Sequence, residues 1–263
     1  MQDIFEEIVK IKKEGGEAAL ATIIITRGST PREQGSKMLI KKDGTVIGSV
    51  GGGCNEAEVW QEAMKVMEEG KPKVLHFDLT GRQVEEEGMI CGGTMDVYLE
   101  PVLPQPSVTI FGGGHISLSL VKIAKLVGLD VTVIDDRPTY ANKERFPEAD
   151  NIIALEFSEA IAQLGINKNS FLVIVTRGHA HDEDVLEWAL NTPAKYIGMI
   201  GSKKKVKTVF DHIIARGGNE NALKRVHAPI GLPIKAQTPE EIAVSIMAEI
   251  IQIRRGGGDE NEK

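Results

Sequence analysis

Cysteine is nearly missing from this chain. Its 263 residues hold two, Cys54 and Cys91, too few for a disulfide framework and in keeping with a reduced, cytoplasmic setting. Aromatic residues make up only 5%, which argues against a base-stacking platform for single-stranded nucleic acid. Positive charge is in deficit: 31 Lys and Arg face 38 Asp and Glu, a formal net charge of −7. A general nucleic-acid binder would carry a basic surface instead. Long apolar runs are absent too. Ala18 to Ile25 and Phe171 to Val175 fall far short of the roughly 18 residues that cross a bilayer. The acidic opening Met1-Gln2-Asp3-Ile4-Phe5-Glu6-Glu7 has no signal-peptide core. The expectation is a protein that binds neither nucleic acid nor membrane.

What the chain has in excess is glycine, 28 residues or about 11% against about 7% in ordinary domains. Many sit in runs at 51–53, 92–93, 112–114, 217–218 and 256–258. Clustered glycine marks backbone that turns sharply or approaches a ligand. Three prolines within Pro101-Val102-Leu103-Pro104-Gln105-Pro106 favour a stiff linker. The expected organisation is therefore a domain over 1–100, a linker over 101–107, a second domain over 108–255 and a disordered tail over 256–263.

The first domain reads as α+β. Ile4, Phe5, Ile8 and Ile11 mark one helix face, stopped by Gly15-Gly16. Strands are expected at Ala18 to Thr26, Lys37 to Lys41, Thr45 to Val50, Lys73 to Leu79 and Thr94 to Leu99, with a helix capped by Asn55 and ended at Gly70. The second domain alternates strands at Val108 to Phe111, Val131 to Ile134, Asn151 to Leu155, Phe171 to Thr176 and Lys195 to Met199 with helices near 115–127, 158–164 and 183–191. That alternation predicts a parallel, Rossmann-like sheet. A helix follows Ser202, and another opens on Thr238-Pro239-Glu240-Glu241, which reads as a capping box with proline at the first position. The fold class is α/β: a small N-terminal α+β domain followed by a C-terminal Rossmann-like domain.

Six stretches carry chemistry. Val108 to Ser117 reads strand, glycine turn, helix. Gly112 suits the turn, Gly114 lets a pyrophosphate approach, and the helix beginning at His115 points free N–H groups at an anion. Asp135 and Asp136 lie 23 and 24 residues past Gly112, near the spacing of an acid that grips a ribose hydroxyl. The alternative is that these glycines serve packing alone. Thr26 to Arg32 offers Arg27, Ser29 and Arg32 for a phosphate, since guanidinium binds such groups bidentately, although surface arginines are common. Gly48 to Glu56, with Gly52, Gly53 and Cys54, is a second anion-loop candidate, without the lysine of a P-loop. Gly88 to Thr94 sets Cys91 beside two glycines, open to exchange; a buried, inert thiol is the alternative. Neither cysteine has metal-ligand spacing, so no metal bound by protein ligands is expected. At the strand ends of the second domain, Arg177, His179, His181 and Asp182 are candidate contacts, with Asp182 expected to cap a helix. Gly201 and Ser202, followed by three lysines, suit phosphate contact or a solvated basic turn.

Taken together these stretches resemble the xanthine dehydrogenase accessory protein family of XdhC/CoxI type, over about residues 1 to 255. The resemblance rests on Arg27-Gly-Ser-Thr-Pro-Arg32, Gly48-Ser-Val-Gly-Gly-Gly-Cys-Asn-Glu56, Cys91-Gly-Gly93, Phe111-Gly-Gly-Gly-His115, Asp135-Asp-Arg-Pro138, Thr176-Arg-Gly-His179, Tyr196 to Ser202 and Pro229 to Ile246. Lys235 and Gln237 depart from it, standing where smaller residues are expected. The resemblance implies a chaperone that binds molybdenum cofactor (molybdopterin), supports its sulfuration by a cysteine desulfurase, and delivers it to a xanthine dehydrogenase-type molybdenum hydroxylase. It implies Arg27, Ser29 and Arg32 as pterin-phosphate contacts and Cys91, with Cys54 second, as the thiol near the ligand. Gly112, Gly114 and Asp135 would hold a nucleotide moiety. Two alternatives remain at this level, an NAD(P)-dependent oxidoreductase and a dinucleotide-sensing module. A homodimer is the base-rate expectation.

Overall fold

The computed structural model describes residues 3–79 and 92–256. It divides into two compact units, Met1–Pro104 and Gln105–Lys263.

In the first unit, helix α1 (Ile4–Lys13) is capped by Asp3, whose carboxylate accepts from the Phe5 N–H. Strands β1 (Ala18–Arg27), β2 (Lys37–Lys41), β3 (Val46–Gly48), β4 (Lys73–Asp78) and β5 (Thr94–Val102) form an antiparallel sheet in the order β3-β2-β1-β5-β4. Side chains alternate across β1 as the twofold strand period requires. Ala19, Ala21 and Ile23 share a core with Val59, Ala63, Val66 and Met67 of helix α2 (Gly53–Glu69). Ala18 and Leu20 face the other way, onto Ile4, Ile8 and Ile11 of α1. The register of β1 on β5 shifts between Ile23 and Ile25, and the amide of Gln34 donates to the Ile24 carbonyl in that irregularity at 2.8 Å.

The second unit holds β6 (Ser107–Phe111), β7 (Asp130–Ile134), β8 (Asn151–Ile153), β9 (Ser170–Ile174), β10 (Tyr196–Met199) and β11 (Val226–His227), all parallel, in the order β11-β10-β9-β6-β7-β8. This is the doubly wound arrangement, with its reversal of strand order between β6 and β9. Every residue of β9 is buried, as a central strand covered on both faces must be. Helices α3 (His115–Leu126) and α8 (Pro239–Arg254) cover one face through Leu120, Val121, Ala124, Ile246, Met247 and Ile250. Helices α4 (Phe157–Ile161), α5 (His179–Ala189) and α6 (Lys203–Ala215) cover the other, with α7 (Glu220–Leu223) adding Leu223. The edge is tied down by Glu249. Its carboxylate accepts from the buried Tyr196 hydroxyl at 2.5 Å and the Gly231 N–H at 2.9 Å, and lies 3.2 Å from His227 Nδ1.

Several details differ from the sequence expectation. Pro101 and Val102 belong to β5 and Ser107 to β6, so the proline-rich stretch is shorter than a 101–107 linker. Proline is tolerated at 101 because β4 pairs with β5 only as far as Leu99. Helix α2 starts at Gly53 rather than after Asn55, with Gly52 at the cap position. Helix α5 starts at His179 behind Gly178, so Asp182 does not cap it. The short elements α7 and β11 have too few residues to show a period and were not foreseen. Lys235, where a smaller residue was expected, adopts φ 62°, the left-handed region that favours glycine.

The capping box foreseen at Thr238 is present: its hydroxyl accepts from the Glu241 N–H, and the Glu241 carboxylate accepts from the Thr238 N–H. Thr238→Ala should lower the unfolding free energy by about 1 kcal/mol in urea titration, because one N-terminal donor loses its partner.

Candidate functional site

In the first unit, three of the singled-out stretches meet at one end of the β1–β5 pair. Arg27 is level with Thr94 in the ladder, so the loop after β1 and the segment before β5 emerge side by side. They touch through glycine. A Cβ on Gly93 would lie 2.3 Å from the Arg27 carbonyl oxygen and 2.7 Å from that of Ser29. A Cβ on Gly28 (φ 73°) would lie 2.9 Å from the Gly92 oxygen. The third stretch joins through Gly51 (φ 140°), whose Cβ would meet Pro31 Cγ at 2.7 Å. Only residues without side chains permit such approaches.

The loop before α2 holds its own anion. Glu56 Oε1 accepts from Ser49 Oγ at 2.6 Å, the Val50 N–H at 3.0 Å and the Gly51 N–H at 3.2 Å. Burial alone would raise the Glu56 pKa; the hydrogen bonds from Ser49 and from the N–H groups of Gly52, Val50 and Gly51 outweigh it and hold the carboxyl below its ordinary value. Of the N–H groups expected to cradle an external anion, that of Gly52 thus faces an internal carboxylate. Around this filled loop, Gly52 opens onto free space. Arg27, Ser29 and Arg32 are exposed, and neither guanidinium has an ion-pair partner among the described residues. Thr30 braces the turn by donating to the Arg32 carbonyl at 2.9 Å. Cys91 lies outside the described residues, as do the side chains of Cys54 and His179.

In the second unit the glycine turn follows β6. Gly112 lies against β9, its Cβ position 2.4 Å from the Val175 carbonyl oxygen, and Gly113 lies against Tyr140, 2.3 Å from its carbonyl oxygen. Gly114 caps α3 and opens onto free space. Ser117 stands where a third glycine is usual; it is fully buried, and its hydroxyl donates to the Gly112 carbonyl at 2.5 Å, closing the turn. His115 is exposed at the helix start.

Asp135 is 2% exposed and saturated. It accepts from the Gly113 N–H at 2.8 Å, the Arg137 N–H at 3.1 Å, and Arg137 Nε and Nη2 at 2.8 and 3.0 Å. Burial would raise its pKa; the Arg137 guanidinium and the Gly113 N–H overcome that and lower it. Arg137 stacks on the Tyr140 ring at 3.6 Å, and Arg145 donates to the Gly113 carbonyl at 3.1 Å. Asp136 pairs with Arg177.

The remaining candidates serve the fold. Asp182 is fully buried, accepts from Thr176 Oγ1 at 2.6 Å and pairs with Lys205. Ser202 caps α6 by accepting from the Lys205 N–H at 3.2 Å, and a Cβ on Gly201 would lie 3.0 Å from the Lys205 side chain. Lys205 is thereby turned inward, away from any phosphate. His181 packs edge-on against Phe157 at 5.2 Å. Sequence reasoning missed the role of Glu56, the Asp182–Lys205 pair and the part of Tyr140 and Arg145. Each joins residues in different elements, or acts through a loop whose shape no spacing encodes. Only Glu56, inside a motif already quoted, was within reach.

Three variants test this geometry. Lys205→Met leaves Asp182 buried and unpaired and should cost about 3 kcal/mol in urea titration; adding Asp182→Asn should recover part of it. Glu56→Gln should be less stable than the parent at pH 7. Because the Glu56 pKa is depressed in the folded state, that gap should close as pH falls below about 4.5, where the parent's carboxylate takes up its proton.

The chain is similar to known proteins. Residues 108–250 match the XdhC Rossmann domain, and residues 11–78 match the XdhC and CoxI family. The Escherichia coli K12 protein called uncharacterized protein YqeB is 32% identical over 253 residues, which cover 96% of this chain and 46% of that one. The chain thus spans about half the length of that relative. The molybdenum cofactor insertion chaperone PaoD of the same organism is 22% identical, with 94% of this chain and 86% of PaoD covered. A crystal structure from Bacillus halodurans, described as a xanthine dehydrogenase, superposes with a TM-score of 0.53 at 26% identity, covering 99% of this chain and 98% of that one. With more than half of its length matched by the Rossmann-domain model, the chain belongs to the XdhC and CoxI family.

Proposed function

We propose that the protein receives molybdenum cofactor as cargo and hands it to a xanthine dehydrogenase-type hydroxylase. The observation that carries this reading is the rim of the first unit. There, two guanidiniums without ion-pair partners among the described residues, Arg27 and Arg32, stand with the Ser29 hydroxyl around a loop already shaped by Glu56. A pterin bearing a terminal phosphate suits such a rim, because each guanidinium can donate a pair of hydrogen bonds to phosphate oxygens. The likeness to PaoD, and the family to which this chain belongs, support the same cargo.

Cys91 adjoins Gly92, which lies against the Arg27–Ser29 loop. In this reading its thiol meets the cofactor while a cysteine desulfurase supplies sulfur, with Cys54 the second candidate. The role asks no redox or acid–base chemistry of the rim itself: the arginines bind and orient, and the loop keeps its form before the cargo arrives.

The test is purification under anaerobic conditions from a host that makes the cofactor, with molybdenum and oxidised-pterin fluorescence measured per protein. The parent should carry pterin close to one per chain. Arg27→Ala with Arg32→Ala should retain less than about a tenth of it, since two charge-assisted contacts are lost, with an unchanged melting temperature. Cys91→Ala should fold normally and fail to activate an apo-hydroxylase. A parent without pterin, or full activation by the Cys91 variant, would refute the cargo and the thiol role respectively.

A further inference from the structure

The second unit carries a cavity away from the glycine turn. It lies between α6, α7 and the Ala228–Pro229 segment that follows β11, and it measures about 540 Å³. Cavities that enclose a small organic ligand span about 300–1,000 Å³. The wall is mainly apolar: Val206, Phe210 and Ile214 of α6, Leu223 of α7, then Ala228 and Pro229. Val206 and Leu223 are buried members of the core, so the floor is held in place by the fold. Ile214 is 42% exposed, an apolar side chain that meets water at the cavity instead of the core.

Helical periodicity gives the cavity its shape. Positions 203, 206, 207, 210, 211 and 214 recur every three or four residues and make one face of α6. From Lys203 to Ile214 that face runs about 16 Å along the helix axis. An elongated ligand can follow such a face from end to end.

Charge fixes the sign and the place of the ligand's polar end. The lining holds three ammonium groups, Lys203, Lys207 and Lys224, and two carboxylates, Asp211 and Glu220, so positive charge is in excess by one. Lys203 and Lys207 stand one turn apart on the same face, where both can reach a single group. Among the described residues neither is ion-paired, whereas Lys205 is held by the buried Asp182. Lys203 begins α6, and the first turn of that helix has no acidic residue. Cations at a helix start oppose the helix dipole, and an anion beside them relieves that repulsion. One carboxylate balances the lining. A phosphate dianion would exceed it, with Asp211 and Glu220 already on the rim.

We infer that this cavity binds an elongated aliphatic monocarboxylate, its head between Lys203 and Lys207 and its chain along Val206, Phe210 and Ile214. The head gains charge-assisted hydrogen bonds, and the chain removes apolar wall from water. The inference uses the second unit alone and goes beyond the pterin reading, which its failure leaves untouched.

Calorimetry on the full chain with decanoate, acetate and decyltrimethylammonium tests it. Decanoate should saturate at one per chain. Acetate, which lacks the chain, and decyltrimethylammonium, which carries the opposite charge, should each bind at least tenfold more weakly. Lys203→Gln with Lys207→Gln alters two exposed side chains and should keep the parent's melting temperature. It should weaken decanoate at least tenfold without weakening decyltrimethylammonium, since only an anion loses its partners. Ile214→Glu should weaken decanoate at least tenfold by placing a charge beside the chain. No saturable binding at millimolar decanoate, equal affinity for the two chain-bearing ions, or unchanged affinity in either variant would each overturn the inference. Sedimentation of the ligand-free chain addresses the competing occupant. A dimer that Ile214→Glu dissociates gives the groove to a second copy and overturns the inference; a mass that the variant leaves unchanged supports it.

Discussion

Backbone pressed against backbone, at positions where no side chain fits, is the constraint on which both units rest. In the second unit, Gly112 lies on the Val175 carbonyl and Gly113 on that of Tyr140, each nearer than any Cβ would allow. A methyl at either point would force strand or loop apart, and overpacking of that kind costs on the order of 1–3 kcal/mol. With the glycines in place, the turn after β6 lies flat against the end of β9, and Asp135, Asp136 and Arg177 come within reach of one another. In the first unit Gly93 does the same against Arg27, joining a loop and a strand start more than sixty residues apart in sequence.

Glycine turns leave N–H groups facing inward, and an unmet buried donor costs about 1–3 kcal/mol. The chain meets this with its own carboxylates. Glu56 serves Val50 and Gly51, Asp135 serves Gly113, and Asp182 serves Thr176. For Glu56 and Asp135 the hydrogen bonds outweigh burial and depress the pKa, so both stay ionised well below neutrality. Loops filled in this way keep their shape without a ligand. The groups left over in the first unit are its exposed guanidiniums, Arg27 and Arg32.

The architecture was legible because its signals are local and repeated. Alternating strand and helix patterns marked the parallel sheet, and Thr238 with Glu241 marked the start of α8. Helix starts behind glycine were harder. Asn55 and Asp182 are good caps by type, yet both helices begin earlier, at Gly53 and His179, since a glycine can take the cap position without a side-chain bond. The site was legible as a set of motifs but not as contacts. Spacing put both Asp135 and Asp136 near a ribose; it could not tell that Arg137, two residues on, would turn back and saturate one of them. The three lysines after Ser202 suited phosphate contact or a solvated turn, because sequence cannot show that a buried Asp182 lies under Lys205.

The contrast between exposed and buried charge bears on what the rim of the first unit is built for. A cation sunk in the protein and paired, as Lys205 is with Asp182, is committed to the fold; removing its partner would leave an uncompensated charge. Arg27 and Arg32 are exposed and carry no such commitment. Contacts made in high dielectric are individually weak, about 0–1 kcal/mol, and are screened beyond roughly 8 Å at physiological salt. Several together can hold a phosphate-bearing cargo at short range, while each can be surrendered in turn to a competing surface. The net charge of −7 works in the same direction by discouraging anions elsewhere on the chain. In the proposed role, a loop fixed by Glu56 and exposed cations on the neighbouring loop after β1 suit passing a ligand on rather than keeping it.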